Sequence, residues 1–293
     1  MSDPGTPVRV SVVVPARDEA PGLPGVLEGV RKALAAVPHE VVVVDDGSVD
    51  GTGDLARKAG ARVVRHPFPL GNGAAVKAGI REARGEVVAL MDGDGQHDPA
   101  DLPRLLEALG EDWAMAVGAR ESGQAGLHRA LANRVYCVLA SYVSGTRIPD
   151  LTSGFRAVRR ADVRRFLYML PNTFSYPSTL TLALLRSGRP VRFVPIRALK
   201  RAGKSKIRIF KDGSRFFWIL LRIATSFSPM RVFLPASLAA AAAGFALYWA
   251  KWEDGPRVTN GIQLLWLLGA LLFFLGLIAE QLASLRFDRS EAE

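Results

Sequence analysis

One cysteine, Cys137, stands in 293 residues, so no disulfide forms within the chain and the residue reads as a structural thiol. The N-terminus, Met1-Ser2-Asp3-Pro4-Gly5, lacks an apolar signal region. The chain up to about residue 210 is therefore expected to stay in the cytoplasm. Charge is missing altogether from Val232 to Ala250 and again from Gly261 to Ala279. Each run has nineteen residues, near the roughly 20 that a helix needs to cross a bilayer. Two in tandem argue against a buried soluble hairpin, and Tyr248, Trp249 and Trp252 lie where an aromatic belt would sit. Acids are scarce where bases crowd. From Arg186 to Arg231 thirteen Lys or Arg face one acid, Asp212, a local charge of +12 that leaves −2 for the rest of a chain whose net is +10. Positive charge massed directly before the first apolar run is the positive-inside pattern and a surface attracted to anionic lipid. The pI of 10.2 is thus read as membrane contact, with no nucleic acid implied. An even number of spans puts both termini on the cytoplasmic side. Walker and dinucleotide fingerprints are absent, as are long-period repeats and low-complexity linkers.

What is present is an alternation of strands and helices. Val8 to Pro15 reads as a buried strand, and Leu23, Val26, Leu27, Val30 and Leu34 then recur at helical spacing. Glu40 to Val44 is a second strand, Ala61 to Val64 a short third, and Gly71-Asn72-Gly73 opens an Ala-rich helix through Arg84. Glu86 to Met91 and Trp113 to Val117 complete the set. Such alternation argues for a mostly parallel sheet with ligands at the strand C-terminal ends. Glu19, Asp46, Asp92 and Asp94 all fall there. In Asp92-Gly93-Asp94 two carboxylates one residue apart follow a strand, a hard-oxygen site suited to Mg²⁺ or Mn²⁺ carrying a diphosphate. Gly93 lets the backbone turn tightly and a ligand come close. His97 reads as a supporting residue and not a ligand. Beyond Arg120 the pattern is helical and basic, then less regular through Asp150 to Arg156. Ile207 to Phe227 mixes aromatic and basic residues as an amphipathic helix in the headgroup region would.

These residues resemble a family 2 glycosyltransferase of the GT-A fold, above all the polyprenyl-phosphate glycosyltransferases that include the dolichol-phosphate mannose synthases. Val12-Val13-Val14-Pro15-Ala16-Arg17-Asp18-Glu19 is similar to the family's opening strand and Pro-x-Tyr-Asn-Glu motif. Val44-Asp45-Asp46-Gly47-Ser48 matches its second-strand motif, and Asp92-Gly93-Asp94 its metal-binding pair. Val117-Gly118-Ala119-Arg120 and Ser153-Gly154-Phe155-Arg156 resemble two later elements, and Gly203-Lys204-Ser205-Lys206 the Gly-x-Ser-Lys loop. The resemblance implies an α/β fold: a Rossmann-like GT-A catalytic domain over 1–206, an amphipathic juxtamembrane segment over 207–230 and two transmembrane helices within 231–285. It puts Pro15, Arg17, Glu19, Val44 and Asp46 around the nucleotide, with Gly93 beside it. It puts Asp92, Asp94 and Gln96 at the metal. Arg120 and Lys206 would hold phosphates, Arg134 is an added contact for the lipid phosphate, and Arg129 belongs to the same basic stretch. Where the family has Tyr-Asn this chain has Arg17-Asp18, and the family's loop arginine is Lys200 here with Arg201 displaced by one. Arg201 and Lys200 share that expectation, and lysine would lose the bidentate grip on phosphate.

The implied reaction moves one sugar, with inversion, from a UDP- or GDP-sugar to a polyprenyl phosphate at the cytoplasmic membrane face, with Asp92, Asp94 and Lys206 carrying the chemistry. A missing residue favours that acceptor. A hydroxyl acceptor needs a carboxylate base as it attacks, yet Phe174 to Thr179 has none and the family's common glutamate aligns with Thr179. A lipid phosphate is already ionised. The alternatives are a hydroxyl acceptor, such as diacylglycerol or a growing polysaccharide, and a non-catalytic nucleotide-sugar binder. No Gln-x-x-Arg-Trp motif of processive synthases occurs. Small residues in tandem, Ala239 to Gly244, suit helix–helix packing, and a homo-oligomer is one outcome of that.

Overall fold

The computed structural model describes residues 7–120, 127–172, 175–196, 225, 227–251 and 258–291. It divides into two units, Met1–Ser141 with Thr146–Arg208, and Tyr142–Gly145 with Ile209–Glu293. The helix expected over 207–227 and the loop at 203–206 fall almost wholly outside the described residues.

The first unit begins β1 (Val10–Ala16), α1 (Leu23–Ala33), β2 (His39–Asp45), α2 (Thr52–Lys58), β3 (Arg62–Arg65), α3 (Asn72–Glu82) and β4 (Val87–Leu90). A single 3₁₀ turn at Pro99–Asp101 leads into α4 (Leu102–Leu109), β5 (Met115–Arg120) and α5 (Leu127–Ser144). Then follow β6 (Arg156–Arg159), α6 (Arg160–Arg165), α7 (Tyr176–Arg186) and β7 (Val191–Ile196). The seven strands form one sheet in the order β3-β2-β1-β4-β6-β5-β7. All run parallel except β6, which lies antiparallel between β4 and β5. Every residue of β1 is buried, because helices cover both faces of the sheet. Val12 and Val14 join Leu23, Val26, Leu27 and Val30 of α1 and Leu102, Leu105 and Leu109 of α4 in one core. Val13 points the other way, onto α3. That helix lies so close that a Cβ at Gly79 would come within 2.3 Å of Val13 Cγ1, and only glycine fits.

The chain steps outward from β1 to β2 and β3, then returns to lay β4 on the opposite side of β1. The order reverses between β1 and β4, and the crevice beyond their C-terminal ends is where such sheets take ligands. Two strands, β6 and β7, and two helices, α6 and α7, were not expected from the pattern past Arg120. β6 is four residues with arginine at both ends, and β7 is an edge strand that exposes Arg192 and Pro195 between buried positions. α7 occupies the segment read only as the acceptor side.

The second unit holds α8 (Met230–Ala250) and α9 (Asn260–Glu291), each with a stretch long and apolar enough to cross a membrane, of mean hydropathy 1.6 in Met230–Ala250 and 2.4 in Asn260–Leu285. Small residues let them approach. Gly244 lies against Trp266, Gly276 against Phe233, and Ser237 Oγ donates to Gly269 O at 2.8 Å. Pro235 sits inside α8 and removes the amide that would bond the Arg231 carbonyl. The Tyr142 hydroxyl, at the end of α5, donates to that carbonyl at 3.0 Å. Arg231 returns the contact: its guanidinium donates to Tyr142 O and lies 5.9 Å from the Tyr142 ring centroid.

Candidate active site at the strand ends

Because β1, β2, β4 and β5 are parallel, their C-terminal ends share one edge of the sheet. That edge collects Pro15, Arg17 and Glu19 from β1, Asp46 from β2, Asp92 to Gln96 from β4, and Arg120 from β5. The loops after β1 and β2 are stitched together. Asp18 N donates to Ser48 Oγ at 3.1 Å, Glu19 N to Thr52 Oγ1 at 3.0 Å, and Ala20 N to Asp50 Oδ2 at 3.0 Å. Val49 N returns a bond to Asp18 Oδ1 at 3.1 Å. Asp18 takes a left-handed conformation with φ 54°. Aspartate tolerates that region as asparagine does, so Asp18 can stand where the family's motif has asparagine. Arg17 is exposed, its Nε 3.8 Å from Asp18 Oδ2. Val44 pairs with Pro15 across the two strands, and its side chain is spent in the core, facing Gly79 of α3.

Asp46 is buried, and both its oxygens accept bonds from the protein. Oδ1 takes His66 Nδ1 at 2.7 Å and Leu70 N at 2.8 Å, and Oδ2 takes Gly71 N at 2.9 Å. Burial pushes its pKa up, but these donors outweigh burial and hold the carboxyl below its ordinary value.

At the end of β4 the Asp92 carboxyl lies deep in the protein, yet its side chain keeps 35% of its exposure. It is therefore open to solvent at this edge of the sheet. Burial raises its pKa, and the charge of Asp94 adds to the rise. His97, Arg120 and Arg156 pull the other way. Carboxylates that repel one another gain from a bound cation. Asp94 Oδ1 accepts from Gln96 N at 3.1 Å, and Gly95, with φ 73°, turns the chain back. His97 is buried, stacks on Phe155 at 5.1 Å, and its Nδ1 lies 3.4 Å from Asp92 N. It supports the turn, as the sequence suggested. Among the described residues no cluster of three or more His, Cys, Asp or Glu exists to cage a metal. Two carboxylates one residue apart suit Mg²⁺ or Mn²⁺, which take their remaining ligands from water and substrate phosphates.

Behind Asp92 the backbone of Gly154 leaves the carboxylate its space. A Cβ there would meet Asp92 Oδ2 at 2.8 Å and Tyr176 Oη at 3.2 Å. Arg120 is braced by Asp150, Nε to Oδ2 at 2.8 Å and Nη2 to Oδ1 at 3.1 Å, and Nη2 also reaches Thr152 Oγ1 at 2.6 Å. Burial raises the pKa of Asp150, but the bidentate arginine more than offsets this and the net shift is downward. Arg156 is wholly buried. Its guanidinium donates to Ser153 O at 2.7 Å, Pro177 O at 2.6 Å, Leu151 O at 3.2 Å and Thr181 Oγ1 at 2.9 Å. Burial pulls its pKa down to about 10. The residue ties the loop behind Asp92 to the first turns of α7. Tyr176, at the start of α7, is buried, and burial raises its pKa, with the Asp92 charge adding.

Gly154, Arg156 and Tyr176 gained no role from sequence reasoning. A buried arginine is invisible to hydropathy, and only the Ser-Gly-Phe-Arg resemblance pointed near them. Arg134 is exposed on α5. Lys200, Arg201 and Lys206 lie outside the described residues, as does the side chain of Arg129.

Residues 11–167 match the model of glycosyl transferase family 2, and residues 228–285 that of the GtrB C-terminal hairpin. An undecaprenyl-phosphate 4-deoxy-4-formamido-L-arabinose transferase of Pectobacterium carotovorum subsp. carotovorum (strain PC1) is 26% identical over 298 residues, covering 96% of this chain and 90% of the relative. The protein of the same description from Yersinia enterocolitica is 25% identical over the same span. Among solved structures, glucosyl-3-phosphoglycerate synthase from Mycobacterium tuberculosis, crystallised with Mn²⁺, UDP-glucose and phosphoglyceric acid, aligns with a TM-score of 0.61. It is 21% identical, over 74% of this chain and 80% of that one, a likeness of fold. The first unit is a GT-A domain. With the family match covering over half its length, and the family's motifs standing at the strand ends, the chain belongs to glycosyl transferase family 2.

Proposed function

We propose that the chain is a membrane-bound glycosyltransferase. It moves a single sugar, with inversion, from a UDP- or GDP-sugar to a polyprenyl phosphate at the cytoplasmic face. The observation that carries this reading is the fate of the acids on the acceptor side. α7 contains no carboxylate, and Thr179, at the family's glutamate position, spends its hydroxyl on Ser175 O at 3.1 Å. The two acids nearest in sequence are both taken by arginines, Asp150 by Arg120 and Asp162 by Arg189. Among the described residues of this segment a hydroxyl acceptor would find no available carboxylate base, whereas an ionised lipid phosphate needs none. The relatives described as undecaprenyl-phosphate transferases support the same acceptor class.

On the donor side Asp92 and Asp94, with Gln96, would hold Mg²⁺ or Mn²⁺. The bound ion would supply charge neutralisation for the departing diphosphate. Mn²⁺ in the structural neighbour supports that choice of ion class. The loops after β1 and β2, fixed to each other by backbone-to-side-chain bonds, would seat the nucleotide between Arg17, Glu19 and Asp46. Arg120, oriented by Asp150, presents its remaining face to anionic groups in the cleft. Lys206, with Lys200 or Arg201, would add positive charge from the basic loop. The apolar hairpin would hold the catalytic unit at the depth of a lipid headgroup.

The test is sugar transfer by the purified full chain in detergent, with Mg²⁺ and undecaprenyl phosphate, across UDP- and GDP-sugars, products read by mass spectrometry. One glycosyl-phosphate lipid is expected, lost with EDTA and in Asp94→Ala. Glycosylation of diacylglycerol in its place would sink the argument from the missing base.

A further inference from the structure

The turn from β3 into α3 hangs on one carboxylate. Asp46 accepts from the amides of Leu70 and Gly71 and from His66 Nδ1, so three of its four lone-pair directions are used within the protein. A carboxylate only accepts, so Nδ1 of His66 carries the proton. The two side chains are enclosed, His66 at 11% and Asp46 at 6% exposure. On the other side the turn has no slack. Gly71 has φ 104°, and a Cβ on it would stand 2.5 Å from Asn172 O, which itself accepts from Ala74 N at 3.1 Å. Asp46 N is anchored to Ala16 O at 3.0 Å. Asp46 is thus the joint between the end of β1, held by its amide, and the start of α3, held by its carboxylate. Two of its donors are backbone amides. Among the described residues, His66 is the side chain that fixes its rotation.

We infer that His66 is a positioning residue for the donor nucleotide: its Nδ1–H locks the Asp46 carboxylate and, through it, the 66–71 turn that borders the nucleotide end of the cleft. This rests on the nucleotide-sugar reading of the site. His66 touches neither sugar nor phosphate in this account; it acts through Asp46. No part of the assigned motifs contains it.

Two substitutions separate positioning from bulk packing. In His66→Asn the side-chain amide falls near the place of Nδ1 and can donate to Asp46. In His66→Gln it reaches toward the place of Nε2 and cannot. The full chain in detergent is titrated with UDP and with GDP in the presence of Mn²⁺, and hydrogen–deuterium exchange is followed on peptides covering Leu70 and Gly71. His66→Gln is expected to weaken nucleotide binding about tenfold, the scale of one lost hydrogen bond to a charged group. The donor KM should rise in proportion while kcat moves by less than about threefold. Exchange at Leu70 and Gly71 should quicken, and His66→Asn should restore both readouts. Unchanged binding in His66→Gln overturns the inference. So does a loss that Asn fails to rescue and that follows a fall in the unfolding midpoint, which would mark His66 as packing alone. If the wild-type chain binds neither nucleotide, the proposed function fails and the donor role falls with it. The exchange data would then show whether the joint itself exists.

Discussion

Asp92 owes its place to a residue with no side chain. Gly154 has an ordinary negative φ, so alanine costs its backbone little, yet the added Cβ would press on Asp92 Oδ2 at 2.8 Å. Gly154→Ala should therefore cut turnover at least about tenfold and raise the Mn²⁺ needed for half-maximal activity, with the unfolding midpoint nearly unmoved, because misplaced catalytic groups cost rate before stability. A variant with full activity would show that the carboxylate has room to shift. Asp150 makes a prediction with a pH signature. Its folded pKa lies below the unfolded value, so the stabilisation it brings is complete above about pH 4 and disappears as the pH falls through the folded pKa. Asp150→Asn should cost about 2 kcal/mol near neutrality, since Arg120 loses its charged partner. The stability curves of wild type and variant, measured by unfolding across pH, should converge on acidification. A constant gap would assign the cost to packing.

At the scale of elements, what was legible followed from continuous patterns. Val12 to Ala16 and Val42 to Val44 are unbroken apolar runs buried on both faces, and the α1 residues repeat at helical spacing, so β1, β2 and α1 fall where expected. The acidic pair was legible because motif and strand end coincide. β6 was not. Its first residue, Arg156, is a buried cation whose hydrogen bonds reach beyond Leu151 and Ser153 to Pro177 and Thr181, partners that no local window contains. β7 hid behind Arg192 and Pro195, which only an edge strand admits. The second unit offers a test of element against element. Pro235 leaves the Arg231 carbonyl without its helical amide, and Tyr142 Oη fills the gap at 3.0 Å. Tyr142→Phe should destabilise the unit by about 1–3 kcal/mol, the cost of an unpaired carbonyl. Adding Pro235→Ala restores an amide at that position, so the double variant should recover much of the loss in a detergent unfolding assay. Equal midpoints for the single and double variants would show that the carbonyl finds water.

Across the whole molecule, charge and hydropathy are segregated along the chain, and the segregation dictates an orientation. The +12 segment precedes α8, and in the proposed topology the two apolar helices that follow would return the chain to the side it left. The protein carries its own clean background for a labelling test, since Cys137 is its only cysteine, is buried, and has a thiol pKa raised by that burial. A cysteine at Val258, which is 45% exposed just ahead of α9, reports on the connection between the helices. A cysteine at Ser2 reports on the catalytic side. In right-side-out membrane vesicles a membrane-impermeant maleimide should label Val258→Cys at once and Ser2→Cys only after lysis. Labelling of Ser2→Cys in sealed vesicles would put the nucleotide-binding edge outside the cell. It would then face no cytoplasmic pool of sugar donors, and the positive segment before α8 would owe its place to something other than topology.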